Sequence, residues 1–200
     1  MQGNKVRLAV FASGGGSNLQ ALIDACKTGR LNARICVVIT SNTKAYALTR
    51  AKNEGIPAYC LSLDDEIFEV LQKHGTQLIF LAGYLRKIGP TVLSRYDIYN
   101  IHPSLLPKYG GKGMYGMNVH KAVLASRDIE TGISIHRVDS EYDTGPVIAQ
   151  KTVPVMPGDT PETLAARVLE QEHIFIVDAL KDILKSAASG GFQRSRNRNV

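Results

Sequence analysis

The chain has 200 residues, 44% of them hydrophobic and 21% charged, which suffices to bury one core near the upper end of ordinary single-domain size. No apolar run approaches the roughly 20 residues that cross a bilayer, and Met1 to Arg7 lacks the apolar stretch of a signal peptide, so the expectation is a cytoplasmic protein without a membrane partner. Net charge is +6, yet Lys185, Arg194, Arg196 and Arg198 fall in an acid-free stretch, and the remaining 20 basic residues face 18 acidic ones; a nearly neutral folded body with a basic, disordered tail over 185–200 reads against a nucleic-acid partner.

In chain order, Lys5 to Ala12 is apolar and partly β-branched, ends at Ser13-Gly14-Gly15-Gly16, and precedes an amphipathic run from Ser17 to Lys27. The pattern repeats as strand Ala33–Thr40, helix Tyr46–Glu54, strand Ala58–Leu61, helix Asp65–His74 and strand Gln77–Ala82. Gly29, Gly55 and Gly75 close the three helices, as a left-handed cap position requires. A short helix around Pro90–Ser94 leads to a strand at Asp97–Ile101. The Gly-rich segment Lys108–Gly116 follows, then a helix around Asn118–Ala125, strands Gly132–Asp139 and Val147–Val155, and a long helix Thr160–Lys185 with Thr160 as N-cap and Pro161 in the first turn. Strands alternating with helices predict an α/β, Rossmann-like architecture: a mostly parallel twisted sheet covered on both faces, with some antiparallel strands in the C-terminal half. Residues 1–184 read as a single domain.

The turn Ser13–Asn18 sits between the first strand and first helix, where backbone amides and the helix dipole favour an anion. A dinucleotide fingerprint requires a glycine where Leu19 stands and an acid near Ser41 and Asn42, and no Gly-Lys-Ser/Thr follows. NAD and nucleoside triphosphates are thereby disfavoured. A small phosphate-bearing ligand held by the amides of Gly16, Ser17 and Asn18 and a plain tight turn capped by Ser17 or Asn18 both remain open.

Asn100 and His102 alternate around Ile101 at the C-terminal end of a predicted parallel strand, so both side chains face one side of the sheet, at the edge where open α/β sheets bind ligands. An amide beside an imidazole suits acyl-type transfer, which needs an oxyanion stabilised and a proton moved. Asp143, in the turn Tyr142-Asp143-Thr144-Gly145-Pro146, would raise the imidazole pKa and favour its cation, or could serve as a local turn acceptor. His74, His120 and His136 offer no HxxxH or HxH spacing, and Cys26, Cys36 and Cys60 no CxxC, so no metal and no disulfide framework is expected.

Taken together, AVFASGGGSNL (Ala9–Leu19), LAGYLR (Leu81–Arg86), NIHPSLLP (Asn100–Pro107) and YDTGP (Tyr142–Pro146) resemble the folate-dependent formyltransferases over residues 5–184, and within them the phosphoribosylglycinamide formyltransferases of purine synthesis. The resemblance implies metal-free transfer of a formyl group from 10-formyltetrahydrofolate, a co-substrate, to the glycyl amine of 5-phosphoribosylglycinamide. By the same match Asn100, His102 and Asp143 are catalytic, with Asn100 and a cationic His102 expected to stabilise the oxyanion and Asp143 to assist proton transfer, and Gly16, Ser17 and Asn18 take the substrate phosphate. Glu172 contacts the ribosylglycinamide, while Leu85, Arg86, Lys87, Ile88 and the loop Asp139, Ser140, Glu141, Tyr142 bind the folate. A monomer or weak homodimer is expected.

The chain departs from relatives in the Gly-rich Lys108–Gly116, in the acidic Asp64, Asp65 and Glu66, and in Arg137, where an aromatic or aliphatic residue is common. Methionyl-tRNA formyltransferases share NxHPSLLP and the DxGP turn but would carry a further C-terminal domain, and formyltetrahydrofolate hydrolases a further N-terminal one. A non-catalytic phosphate-binding module would not require the Asn100/His102/Asp143 trio.

Overall fold

The computed structural model describes residues 5–190. Its elements run β1 (Val6–Phe11), α1 (Ser17–Lys27), β2 (Ala33–Thr40), α2 (Tyr46–Asn53), β3 (Ala58–Cys60), α3 (Asp64–Lys73), β4 (Leu78–Leu81), α4 (Pro90–Arg95), β5 (Ile98–His102), α5 (Met117–Ala125), β6 (Glu130–Arg137), β7 (Val147–Pro154) and α6 (Pro161–Gly190). The expected elements are all present and most bounds shift by one or two residues. The helix expected to stop at Lys185 continues to Gly190, so the first residues of the anticipated tail are helical, and residues 191–200 lie outside the described residues.

Gly29, Gly55 and Gly75 follow α1, α2 and α3 with φ of 74°, 65° and 60°, the left-handed conformation that a residue without Cβ adopts freely. At the start of α6 the Thr163 amide donates to Thr160 Oγ1 at 3.3 Å and the Thr160 amide to Thr163 Oγ1 at 2.9 Å, a reciprocal cap.

The seven strands form one sheet in the order β3-β2-β1-β4-β5-β6-β7. The first five are parallel, and β6 and β7 are antiparallel to their neighbours. Along β1, Leu8 and Val10 enter one apolar cluster with Leu19, Leu22, Leu164, Val168 and Leu180 from α1 and α6. Ala9 and Phe11 alternate into a second cluster with Ile67, Leu71 and Val92 from α3 and α4. The sheet is therefore sandwiched between helices, which explains its near-continuous apolar strands.

The chain winds outward from β1 to β3 and returns to β4 on the other side of β1, so the first and fourth strands flank a topological switch point. Their C-terminal ends, with that of β5, open toward one crevice. Among the described residues no helix is long and apolar enough to cross a membrane.

Candidate active site

The last turn of pleat in β5 aligns Asn100 with His136 and His102 with Ser134 on the neighbouring antiparallel strand β6. Cross-strand partners share a face of the sheet, so these four polar side chains converge. Beyond β5 the chain turns through Pro103–Pro107, and the fully buried Ser134 hydroxyl pins it: Ser134 Oγ donates to the Ser104 carbonyl at 2.6 Å and accepts from the Leu106 amide and from Gln150 Nε2, both at 2.9 Å. Gln150 also donates to the Leu106 carbonyl at 2.9 Å. With every hydrogen-bonding capacity of that hydroxyl engaged, the segment after His102 is held without an orphaned polar group.

Asp143 arrives from the turn between β6 and β7 with φ of 58°, a left-handed conformation that Asp tolerates better than most residues. The turn closes tightly because the Arg137 amide donates to the Pro146 carbonyl at 2.9 Å and the Thr144 hydroxyl donates to the Asp139 carboxylate at 2.8 Å. A Cβ on Gly145 would stand 1.9 Å from the Arg137 carbonyl oxygen, so the backbones approach too closely for any side chain. Gly145→Ala is accordingly expected to cost about 2–3 kcal/mol and to displace Asp143. Urea unfolding together with an activity assay checks it, and a variant as stable and active as the parent contradicts the assignment.

The Asp143 carboxylate collects four groups. Oδ2 lies 3.5 Å from His102 Nδ1 and accepts the Gly111 amide at 3.0 Å, while Oδ1 lies 3.4 Å from His136 Nε2 and 3.4 Å from Asn100 Nδ2. Burial works to raise its pKa, but His136, His102 and the Gly111 amide together more than offset this and hold it below the ordinary carboxylate range. Asp143 is ionised at neutral pH.

For His102 the balance falls the other way. The ring is 4% exposed, and burial pulls its pKa below the ordinary imidazole value; Asp143 and the Tyr109 carbonyl pull upward without offsetting it, and His136 adds to the downward pull. The cation that the acidic neighbour favours is thus opposed by burial, because desolvation of an imidazolium works against the attraction of one carboxylate. Nε2 carries a proton, since it lies 2.8 Å from the Tyr109 carbonyl, an acceptor only. Nδ1 faces Asp143 Oδ2 at 3.5 Å.

His136 was a residue that the sequence reading weighed only as a metal ligand. Its Nδ1 lies 3.0 Å from the Arg137 carbonyl, and its Nε2 lies 3.0 Å from Asn100 Nδ2 and 3.4 Å from Asp143 Oδ1. Asn100 thus directs its amide hydrogens at His136 and Asp143. The signal was available in the alternation Ser134–Ile135–His136, but it became meaningful only with the register against β5.

These groups open on a cavity of about 700 Å³. Asn100, His102 and Asp143 line it, as do Asn18, Glu172, Leu85, Arg86, Lys87, Ile88, Asp139, Glu141 and Tyr142; Gly16, Ser17 and Ser140 do not. Lys87 Nζ bridges the two lips, 2.8 Å from Glu141 and 5.4 Å from the centre of the Tyr142 ring. The Gly-rich segment supplies a further wall from Gly111 to Met117, including Lys112. The acidic stretch does not reach the cavity: the Asp64 carboxylate accepts the Thr91 and Val92 amides at 2.7 and 3.3 Å, satisfying the first turn of α4. Arg137 points away and pairs with Asp97 at 2.6 Å. Among the described residues no group of three His, Cys, Asp or Glu side chains is arranged to hold a metal ion.

At the glycine turn, Gly16 is the N-cap of α1 with φ of 69°, and no side chain caps the helix. The capping reading of Ser17 and Asn18 is thus overturned, since Asn18 Nδ2 turns inward to donate to Glu172 Oε2 at 2.8 Å. The first-turn amides of α1 have no side-chain acceptor, as an anion site needs. Arg50, which the sequence reading missed, donates from Nε to the Gly15 carbonyl at 2.8 Å and adds positive charge beside the turn. Glu172 is 7% exposed, and burial pushes its carboxyl up to about 7 although the Asn18 amide pulls the other way. Asn18 Oδ1 is buried without a partner.

Residues 6–180 match the formyl transferase family. The chain is 43% identical over 186 residues, 88% of its length, to a chloroplastic phosphoribosylglycinamide formyltransferase of Vigna unguiculata, of which it spans 60%. It is 40% identical to the corresponding Arabidopsis thaliana protein, of which it spans 64%, so it covers less than two thirds of these two relatives. Against phosphoribosylglycinamide formyltransferase of Escherichia coli it is 38% identical over 84% of its own length and 82% of that protein. The crystal structure of glycinamide ribonucleotide transformylase 1 from Geobacillus kaustophilus superposes with a TM-score of 0.82 at 41% identity, over 90% of this chain and 100% of that one.

Proposed function

Because the chain belongs to the formyl transferase family, we propose that it transfers a formyl group from 10-formyltetrahydrofolate to the glycyl amine of 5-phosphoribosylglycinamide, a step of purine synthesis. The observation that carries this reading is the convergence of Asn100, His102 and Asp143 on the wall of one cavity that also reaches Asn18 and Glu172. A purely binding module has no use for a carboxylate–imidazole–amide cluster on the wall of its cavity. The similarity to phosphoribosylglycinamide formyltransferases supports the choice of acceptor.

In this reading the substrate phosphate rests on the amides of Gly16, Ser17 and Asn18 at the α1 dipole, with Glu172 and the unpaired Asn18 Oδ1 accepting from the ribosylglycinamide. The pterin lies along Leu85, Arg86, Lys87 and Ile88 and against the loop from Asp139 to Tyr142. Arg86, Lys87 and Lys112 give the cavity a cationic side suited to the carboxylates of a folate tail.

The amine nitrogen attacks the formyl carbon, forming a C–N bond while the carbonyl pair moves to oxygen. Asn100 turns one amide hydrogen from His136 or Asp143 to that oxyanion. A neutral His102 enters as the base: Nδ1 takes the amine proton, directly or through a water, and the ionised Asp143 stabilises the imidazolium so formed. When the tetrahedral centre collapses, the bond to N10 of the folate breaks and the proton passes to that nitrogen. We read the protein as cytoplasmic, acting as a monomer or weak homodimer without nucleic acid.

The test is a spectrophotometric formyl-transfer assay with 10-formyltetrahydrofolate and 5-phosphoribosylglycinamide, run beside an acceptor-free control. Folate release that requires the ribonucleotide is expected. Release at the same rate without acceptor would mark a hydrolase, and no release in either arm would refute formyl transfer.

A further inference from the structure

We propose that Asp128 and Tyr109 form a tether that positions His102: the Asp128 carboxylate holds the Tyr109 side chain, and the Tyr109 backbone carbonyl thereby fixes the His102 proton on Nε2. The inference rests on the catalytic reading of His102 given above. It starts from one residue facing two ways. The Tyr109 carbonyl lies 2.8 Å from His102 Nε2, while its hydroxyl donates to Asp128 Oδ2 at 2.9 Å, outside the catalytic cavity.

Tyr109 needs such a hold. Its φ of 55° lies in the left-handed region that favours glycine, and Gly110 and Gly111 follow it, so nothing in the local chain preference keeps its carbonyl turned toward the histidine. The anchor is itself well placed. Asp128 sits in the connection between α5 and β6, and Lys108 Nζ approaches the same Oδ2 at 3.1 Å. Lys108 and Tyr109 hold the Asp128 carboxyl below the usual carboxylate range, so it is a charged acceptor throughout the neutral pH range. From the other side, the Ser104 hydroxyl donates to the Lys108 carbonyl at 2.6 Å, which ties the residue before Tyr109 to the segment that follows His102.

The tautomer matters because the carboxylate beside the ring pulls the other way. Asp143 from the β6–β7 turn would accept a proton from Nδ1. His136 on β6 disfavours positive charge on His102, and His102 disfavours it on His120 of α5. Only the Tyr109 carbonyl selects Nε2–H in the neutral ring and so frees Nδ1 to act as the base. If the carbonyl swings away, the proton moves to Nδ1, where Asp143 accepts it, and the basic lone pair turns to the side from which Tyr109 has withdrawn.

Tyr109→Phe removes one oxygen atom and Asp128→Ala removes the acceptor at a half-buried position, so each cuts the tether at one end. In substrate-free protein with ¹⁵N-labelled histidine, the His102 resonances of the parent are expected to report protonated Nε2 and unprotonated Nδ1. Each variant should move them toward the opposite tautomer. In the transfer assay, kcat should fall about tenfold at little change in either KM, the pH–rate limb that reports His102 should shift to lower pH, and the double variant should be no slower than the slower single one. Unchanged His102 resonances in both variants overturn the proposal, as do multiplicative losses in the double variant. Because the NMR measurement uses no substrate, it stands whether or not the protein proves to be a formyltransferase.

Discussion

Asp143→Asn is expected to lower kcat by roughly two to four orders of magnitude, the range typical for loss of a group that supports proton transfer in the transition state. Asn suits this test better than Ala, because position 143 has φ of 58° and Asn shares the tolerance of Asp for that conformation. The amide oxygen can still accept from the Gly111 amide that now lies 3.0 Å from Oδ2, so the turn should keep its shape. What disappears is the negative charge 3.5 Å from His102 Nδ1. With a neutral His102 as base, that charge is needed when the imidazolium forms, which places the loss in kcat rather than in either KM. His102→Ala should fall as far, and the double variant scarcely further, since the two act as one unit. Steady-state kinetics alongside thermal unfolding checks this; near-parental kcat in a folded Asp143→Asn protein would remove Asp143 from the chemistry.

The framework around this pair was legible because its physics is local. The strand Ala33–Thr40 and the helix Ser17–Lys27 were expected at the bounds they have, since an uninterrupted β-branched run and an amphipathic stretch bounded by glycines leave little alternative. Gly29, Gly55 and Gly75 announced three helix ends for a stereochemical reason that needs no tertiary context. The placement of Asn100 and His102 on one face also followed from the pleat alone.

The remainder of the site depended on distance in space. His136 acquires meaning only from its register opposite Asn100, and Asp128 only because a strained Tyr109 reaches it. The acidic neighbour of His102 can be read from a motif, whereas the burial that opposes its charge cannot. Asn18 was read as a cap or a phosphate amide, but its side chain belongs to a buried pair with a residue 154 positions away. Long-range polar pairing of this kind carries no periodic signal, which is why the backbone was predictable and the protonation states were not.

Glu172 gives the second large effect, and its sign is opposite to that of most carboxylates. Its folded-state pKa is raised from 4.5 to about 7 by burial, so the folded chain retains a proton that the unfolded chain has released. The unfolded state then binds fewer protons, and stability declines as pH rises from about 4.5 through about 7. Above that window the ionised carboxylate costs on the order of 3 kcal/mol. His102, His120 and His173 have lowered pKa values, chiefly from burial, and act in the other direction, weakening the fold as pH falls below the ordinary imidazole value. The parental pH profile is therefore a composite. Glu172→Gln isolates one component, because Gln is neutral at every pH, fills the same space and keeps an oxygen for the Asn18 amide. Urea unfolding of both proteins between pH 5 and pH 8 should show the variant gaining on the parent as pH rises, by a few kcal/mol at the alkaline end. At the same time the KM for 5-phosphoribosylglycinamide should rise at least tenfold at pH 8, where the lost carboxylate would have accepted from the substrate. A stability difference that is flat in pH would mean that Glu172 titrates normally. An unchanged KM would mean that the residue is left buried for a purpose other than holding the acceptor.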